Sequence, residues 1–139
     1  MLGWPVAHSR SPRMQNAALQ AAGLGDWRYQ LLPVSPNLFE PTVRALGGAG
    51  FRGANVTIPH KESALALADS ATQAAREIGA ANTLLFAPDA AIEADNTDAP
   101  GMIQALALDP AGRTALVLGA GGSARAAVWA LLSAGAAEV

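Results

Sequence analysis

Apolar positions come in short bursts along this chain, and the spacing within the bursts changes from segment to segment. Met14, Ala17, Ala18 and Ala21 recur every three or four residues, the repeat of a helix with one small apolar face. Ser11 is expected to cap that helix, with Pro12 in its first turn and Gly23 at its end. Trp27 to Val34 reads as a strand, and Pro36 to Leu46 as a second helix closed by Gly47 and Gly48. Phe51 to Thr57 is a strand running into a turn at Pro59. Glu62 to Ala68 is helical, and so is Ala71 to Ile78, with Asp69-Ser70 as cap and Gly79 as stop. Thr83 to Ala87 and Ala91 to Ala94 make two short strands around Pro88-Asp89. Asp98 to Leu108 reads as a helix that tolerates Pro100 in its first turn. Beyond the linker Asp109 to Gly112, Thr114 to Leu118 is an unbroken apolar run of the kind buried on both faces of a parallel sheet. A helix, Ser123 to Ser133, follows and stops at Gly135.

Strand and helix alternate throughout, so the fold class is α/β. The linker near residue 110 separates a first unit, rich in polar clusters, from a second that opens with a glycine-rich turn. Gly3 reads as a turn glycine with almost nothing before it, and Glu138-Val139 begins a strand and stops. The expectation from these ends is a chain truncated on both sides.

The chain has 139 residues, 51% hydrophobic and 14% charged, with a net charge of −2. That suits one ordered globular core of modest size and offers no basic surface for nucleic acid or an anionic membrane. Disulfides and thiolate chemistry are excluded, because there is no cysteine. The two histidines, His8 and His60, lack metal-ligand spacing, so no metal site is expected. No segment reads as a membrane span or a secretory leader, and a cytoplasmic location is the expectation.

Few polar groups are available to an interior of this composition, so compact polar clusters stand out. Three occur, Asn55 to Lys61, Ala80 to Thr83 and Asp95 to Asp98, each at the edge of an expected strand. A fold-back through a sheet brings them to one site, with a lysine and an aspartate suited to proton transfer. Gly119-Ala120-Gly121-Gly122-Ser123-Ala124 then fits G-x-G-x-x-A between an apolar strand and an apolar helix. Gly119 permits the tight turn, Gly121 admits a pyrophosphate, and Ala124 allows close helix–strand contact. A dinucleotide site is therefore expected there, with a tight structural turn as the competing reading. Arg125 is close to the expected phosphates in sequence and reads equally well as a solvent-facing residue.

Five motifs now stand in order: HSRSP (His8 to Pro12), GANVTIPHK (Gly53 to Lys61), GAANT (Gly79 to Thr83), DNTD (Asp95 to Asp98) and GAGGSAR (Gly119 to Arg125). Their order and spacing resemble the first half of the shikimate dehydrogenase family. The resemblance implies a mixed-sheet substrate-binding domain over residues 1–99 and a connecting helix and linker over 100–112. It implies the beginning of a Rossmann-like NADP-binding domain over 113–139. It further implies reversible, NADP-dependent reduction of 3-dehydroshikimate to shikimate on the way to chorismate and the aromatic amino acids. By the same resemblance Lys61 and Asp98 form the catalytic pair, and Ser9 and Ser11 bind the substrate carboxylate. Asn82 and Asp98 contact ring hydroxyls, and Thr57 completes the pocket with Lys61. Gly119, Ala120, Gly121, Gly122 and Ser123 make the cofactor turn. Ala99 departs from the glycine common after DNTD. The family's basic residues for the 2′-phosphate and a late glutamine of the pocket have no counterpart among these residues. Residues 1–139 alone are therefore expected to bind NADP weakly and to turn over little. A monomer or homodimer is implied for the intact protein.

Alcohol oxidation needs a proton to leave oxygen as hydride leaves carbon, and a lysine–aspartate pair can serve both directions. Burial lowers the basicity of a lysine and a neighbouring carboxylate raises it, so the sequence leaves open which partner carries the proton. Asn55 and Asn96 read as ties between loops, His60 as structural, and Trp4, Trp27 and Trp129 as packing residues. Two other readings stand beside this one. One is a quinate/shikimate dehydrogenase using NAD, and the other is a non-catalytic ligand-binding module of the same fold.

Overall fold

A computed structural model describes residues 1–139. Its strands are β1 (Leu2–Gly3), β2 (Leu32–Pro33), β3 (Gly53–Asn55), β4 (Ser70–Ala71), β5 (Thr83–Phe86) and β6 (Ile92–Asp95). Its helices are α1 (Ser11–Ala21), α2 (Phe39–Leu46), α3 (Lys61–Leu67), α4 (Gln73–Ile78), α5 (Asp98–Ala105) and α6 (Gly122–Ser133). β1 and β2 pair in parallel, and a parallel bridge from Leu2 to Val56 joins them to a second set ordered β3-β5-β6-β4. Within that set β3/β5 and β5/β6 are antiparallel, whereas β4/β6 is parallel. The sheet is therefore mixed.

The core follows from simple periodicities. Phe39, Val43 and Leu46 fall on one face of α2 and are buried. Leu84 and Phe86 point inward from β5 while Leu85 points out; Ile92 and Ala94 do the same on β6, with Glu93 outside. These residues close over Leu2, Val34, Val56, Ala64 and Leu67. A second, smaller cluster is made of Ile78, Ala80, Ala99, Ala126 and Ala130. There α6 lies on α4 and α5 through small side chains, with Gly122, Ala126 and Ala130 four residues apart along one stripe.

Several expected elements are shorter than their apolar runs. Only Leu32–Pro33 of the expected Trp27–Val34 strand pairs with a neighbour. At Tyr29 the side chain of Asn16, from α1, takes the place of a ladder: its Oδ1 accepts the Tyr29 N–H at 2.8 Å and its Nδ2 donates to the Tyr29 carbonyl at 2.9 Å. Ser70-Ala71 is not a helix cap but a strand beside β6. Thr72 caps α4 instead, accepting the Ala75 N–H at 3.2 Å, while Asp69 serves the Ile92 N–H at 2.8 Å. α5 stops at Ala105, with Leu106 and Leu108 exposed beyond it and Pro110 disfavouring continuation. Thr114–Leu118 forms only one parallel bridge, Thr114 to Glu138, and leaves Leu116 84% and Leu118 88% exposed. A strand is defined by its ladder, and a single bridge does not sustain one. Trp4 and Trp27 are about half exposed, not packed inside. No helix is long and apolar enough to cross a membrane, and no group of three acidic or histidine side chains could hold a metal ion.

Candidate active site

Lys61 is the first residue of α3, and its backbone is held from two sides. The residue before it, His60, is buried and donates from Nε2 to the Val34 carbonyl at 2.7 Å, with its ring stacked 4.3 Å from that of Phe39. The Lys61 carbonyl accepts the Ala81 N–H at 2.8 Å, which ties α3 to the chain entering β5. His60 is thus structural, and it anchors the start of the helix that carries the lysine.

Lys61 is 9% exposed, and its ammonium donates to Asp98 Oδ2 at 2.6 Å. Asp98 opens α5, directly after β6. Its second oxygen accepts from Asn82 Nδ2 at 2.8 Å, so both carboxylate oxygens are engaged. Asn82 in turn accepts the Thr97 N–H at 2.9 Å and donates to Thr97 Oγ1 at 3.0 Å, cross-linking the AANT and DNTD segments. Asn96 lies beneath them, 2% exposed, donating to the Ala80 carbonyl at 2.8 Å and accepting the Asp98 N–H at 3.1 Å. Asn55 accepts from Tyr29 Oη at 2.8 Å and donates to Thr83 Oγ1 at 3.2 Å. Both asparagines tie loops together, as their positions in the sequence suggested.

These groups converge on a polar cavity of about 190 Å³ whose wall includes Ser11, Gln15, Tyr29, Asn55, Thr57, Lys61, Asn82 and Asp98. A larger concavity of about 750 Å³, between residues 26–30 and 49–55, contains neither Lys61 nor Asp98. Volume alone is a poor guide here, because the smaller space is where the titratable and amide groups meet.

Of the two serines, Ser11 faces the cavity and Ser9 sits behind it. Ser9 Oγ accepts the Ser11 N–H at 3.2 Å and donates to Ser11 Oγ at 3.1 Å. Ser11 is therefore inside the helix and not its cap; Arg10 holds the N-cap position without a side-chain bond. Gln15 and Tyr29 were not singled out from the sequence. Gln15 follows Ser11 by four residues and so shares its helix face, a signal that was legible. Asn16 pins the Tyr29 backbone, and the Tyr29 hydroxyl reaches the site by donating to Asn55. Burial pushes its phenol above the ordinary tyrosine range.

The glycine turn lies on the other side of Lys61. Gly119 takes a positive φ of 136°, Gly121 is extended at the N-cap, and α6 begins at Gly122. A Cβ built on Gly119 would sit 3.6 Å from the Ala124 methyl, the close turn–helix contact expected of this fingerprint. A Cβ on Gly121 would meet nothing, so its backbone is open to an approaching group. Open glycine backbone leading into free helix-start amides fits a phosphate. Ser123 points elsewhere: its Oγ lies 2.7 Å from Lys61 Nζ. Arg125 faces Glu62, with a nitrogen 3.6 Å from the carboxylate in an exposed pair.

Residues 1–84 match the family described as the shikimate dehydrogenase substrate binding domain. A curated shikimate dehydrogenase (NADP(+)) of Paracoccus denitrificans is 51% identical over all of this chain and 51% of its own length. The crystal structure of shikimate 5-dehydrogenase from Thermus thermophilus in complex with NADP(H) and shikimate superposes with a TM-score of 0.90 at 41% identity. That match covers 99% of this chain and 52% of the other. A ligand-free 5-ketofructose reductase of Gluconobacter sp. strain CHM43 is also similar, at 33% identity and a TM-score of 0.86, over 98% of this chain and 49% of that one. The chain belongs to the shikimate dehydrogenase family, and it spans about half the length of the curated relatives it matches.

Proposed function

We propose that these residues form the substrate half, and the first cofactor turn, of an NADP-dependent shikimate dehydrogenase. The enzyme interconverts 3-dehydroshikimate and shikimate. The observation that carries this reading is the meeting of Lys61, Asp98 and Asn82 on one small polar cavity beside an open glycine turn.

Each group suits a part of such a substrate. Ser11, supported by Ser9, offers a hydroxyl beside the start of α1 for a carboxylate. Asn82 and Asp98 present amide and carboxylate groups to ring hydroxyls. Lys61 stands where it can hydrogen-bond the reacting oxygen. In the reduction it steadies the developing alkoxide and is positioned to supply a proton; in the oxidation the Lys61–Asp98 pair receives one. Gly119, Ala120, Gly121 and Gly122 would hold the pyrophosphate of NADP, which supplies or accepts the hydride when bound. Asp98 keeps the ammonium in place through an interaction already formed in the chain itself.

The likeness to the Gluconobacter reductase favours one second reading, reduction of a different polyhydroxylated ketone by the same pair. The activity is proposed for a protein carrying these residues together with the second half present in the relatives, and the 139 residues by themselves are expected to turn over little. Steady-state rates on shikimate, quinate and the reduction of 5-ketofructose, each with NADP(H) and NAD(H), separate the readings. Preference for shikimate and NADP supports the first. Turnover confined to another substrate, or ligand binding without any turnover, overturns it.

A further inference from the structure

The glycine fingerprint makes demands at positions 119, 121 and 124 but none at 123, so the Ser123 hydroxyl is free for another role. In the structure it is not turned outward from the glycine turn. It lies 2.7 Å from Lys61 Nζ, which also donates to the Asp98 oxygen at 2.6 Å. An ammonium has three N–H groups. Two are taken by Asp98 and Ser123, which leaves one without a protein partner on a residue that lines the cavity. The aliphatic stem is confined as well. A methyl group on Gly122 would come within 3.0 Å of Lys61 Cβ and 3.1 Å of its Cδ, so the turn packs directly against the side chain.

The two partners are chemically different. A carboxylate only accepts, and so holds the lysine in its charged form. A hydroxyl accepts from an ammonium and, after rotation about its C–O bond, donates to the lone pair of a neutral amine. A neutral amine keeps two N–H groups and can still donate to Asp98, but of the two partners only the serine can also donate to the nitrogen lone pair without changing its own charge.

From this we infer that Ser123 is a positioning residue for Lys61. It holds Nζ at a constant place through the protonation cycle and couples the cofactor turn to the proton-transferring group. The inference rests on the role proposed above for Lys61, but the contact itself can be tested separately.

Two variants and two measurements test it. In the form of the protein that turns over shikimate, Ser123→Ala lowers kcat about 10- to 100-fold, the order expected for a reacting group displaced by about 1 Å. The KM values for shikimate and NADP stay within about twofold, and Ser123→Thr, which keeps the hydroxyl, restores most of kcat. A raised KM for NADP with kcat unchanged would assign the hydroxyl to the phosphates and overturn the inference, as would no change in either constant. The second measurement needs no turnover. In the 139-residue chain, the ¹⁵N NMR order of the Lys61 ammonium is high and drops in Ser123→Ala. An unchanged Lys61 signal would overturn the inference even if shikimate proved to be the substrate. Failure of the wild-type protein to oxidise shikimate bears on the proposed function and leaves this NMR comparison intact.

Discussion

Asn96→Ala is the most informative single change outside the Lys61–Asp98 pair. The side chain is 2% exposed and joins two loops, donating to the Ala80 carbonyl at 2.8 Å and accepting the Asp98 N–H at 3.1 Å. Truncation removes both bonds at once. Ala80 is fully buried, so its carbonyl loses a partner where water does not readily replace it, at a cost of about 1–3 kcal/mol. The partly exposed Asp98 N–H can turn to water and adds about 0.5–1 kcal/mol. With some loss of packing the total is about 3 kcal/mol, a large share of the ~5–15 kcal/mol of a typical domain. With a urea slope of about 1.5 kcal/mol/M, the unfolding midpoint falls by about 2 M. The control is Asn37→Ala, at an exposed position, which moves the midpoint by less than about 0.3 M. Urea unfolding followed by far-ultraviolet circular dichroism reads both. A loss below about 1 kcal/mol for Asn96→Ala would refute the argument that these two bonds are buried and unreplaced.

Three further outcomes follow from the geometry. Under the proposed function, Lys61→Ala in a protein that includes the second half lowers kcat on shikimate by about 10²–10⁴ while KM changes much less, measured by steady-state kinetics. Gly122→Ala places a methyl 3.0 Å from Lys61 Cβ and 3.2 Å from the Ala80 methyl. It destabilises the chain by about 1–2 kcal/mol in urea unfolding, because overpacking outweighs the gain from replacing a glycine. Tyr29 is the sole tyrosine, so absorbance at about 295 nm titrates it alone. Burial raises its folded pKa, and the unfolded chain therefore loses that proton first. The contribution of Tyr29 to stability is present below about pH 10 and is lost as pH rises from there through the folded pKa. A phenol that titrates in the native chain as it does in urea would contradict this.

Regular periodicities made much of the fold legible. Phe39, Val43 and Leu46 share one helix face, and Thr83 to Ala87 is legible as a strand beside the Pro88-Asp89 turn, although the apolar run Leu84-Leu85-Phe86 does not show that Leu85 faces out. Local pattern failed where pairing depends on a distant segment. Thr114–Leu118 has the composition of a buried strand, yet a strand needs neighbours, and here it has only Glu138. Trp27–Val34 failed for the opposite reason, since Asn16 of α1 satisfies the backbone that a ladder would otherwise use. At the site, Lys61, Asn82 and Asp98 were visible as polar clusters in an otherwise apolar chain. The bond between Lys61 and Ser123 was not, because it joins groups 62 residues apart and no sequence spacing reports it.

The seat of α6 on α4 and α5 has a consequence for how solution conditions act on this molecule. The stripe Gly122, Ala126 and Ala130 meets Ile78, Ala80 and Ala99, with Met102, Ile103 and Trp129 packed around them. Burial of apolar groups involves no titrating group and so does not itself depend on pH. A polar rim surrounds that contact: Trp129 Nε1–H donates to Glu77 at 2.7 Å, Lys61 Nζ donates to Ser123 Oγ at 2.7 Å, and Arg125 lies 3.6 Å from Glu62. The Glu77 carboxyl is held below its ordinary range by hydrogen bonds from Gln73 and then Trp129. Acidification that protonates it weakens one end of the rim, and salt weakens the exposed Arg125 pair near the other. Ionic conditions therefore act on the polar rim of α6, while the apolar contact beneath, which contains no titrating group, keeps the helix docked.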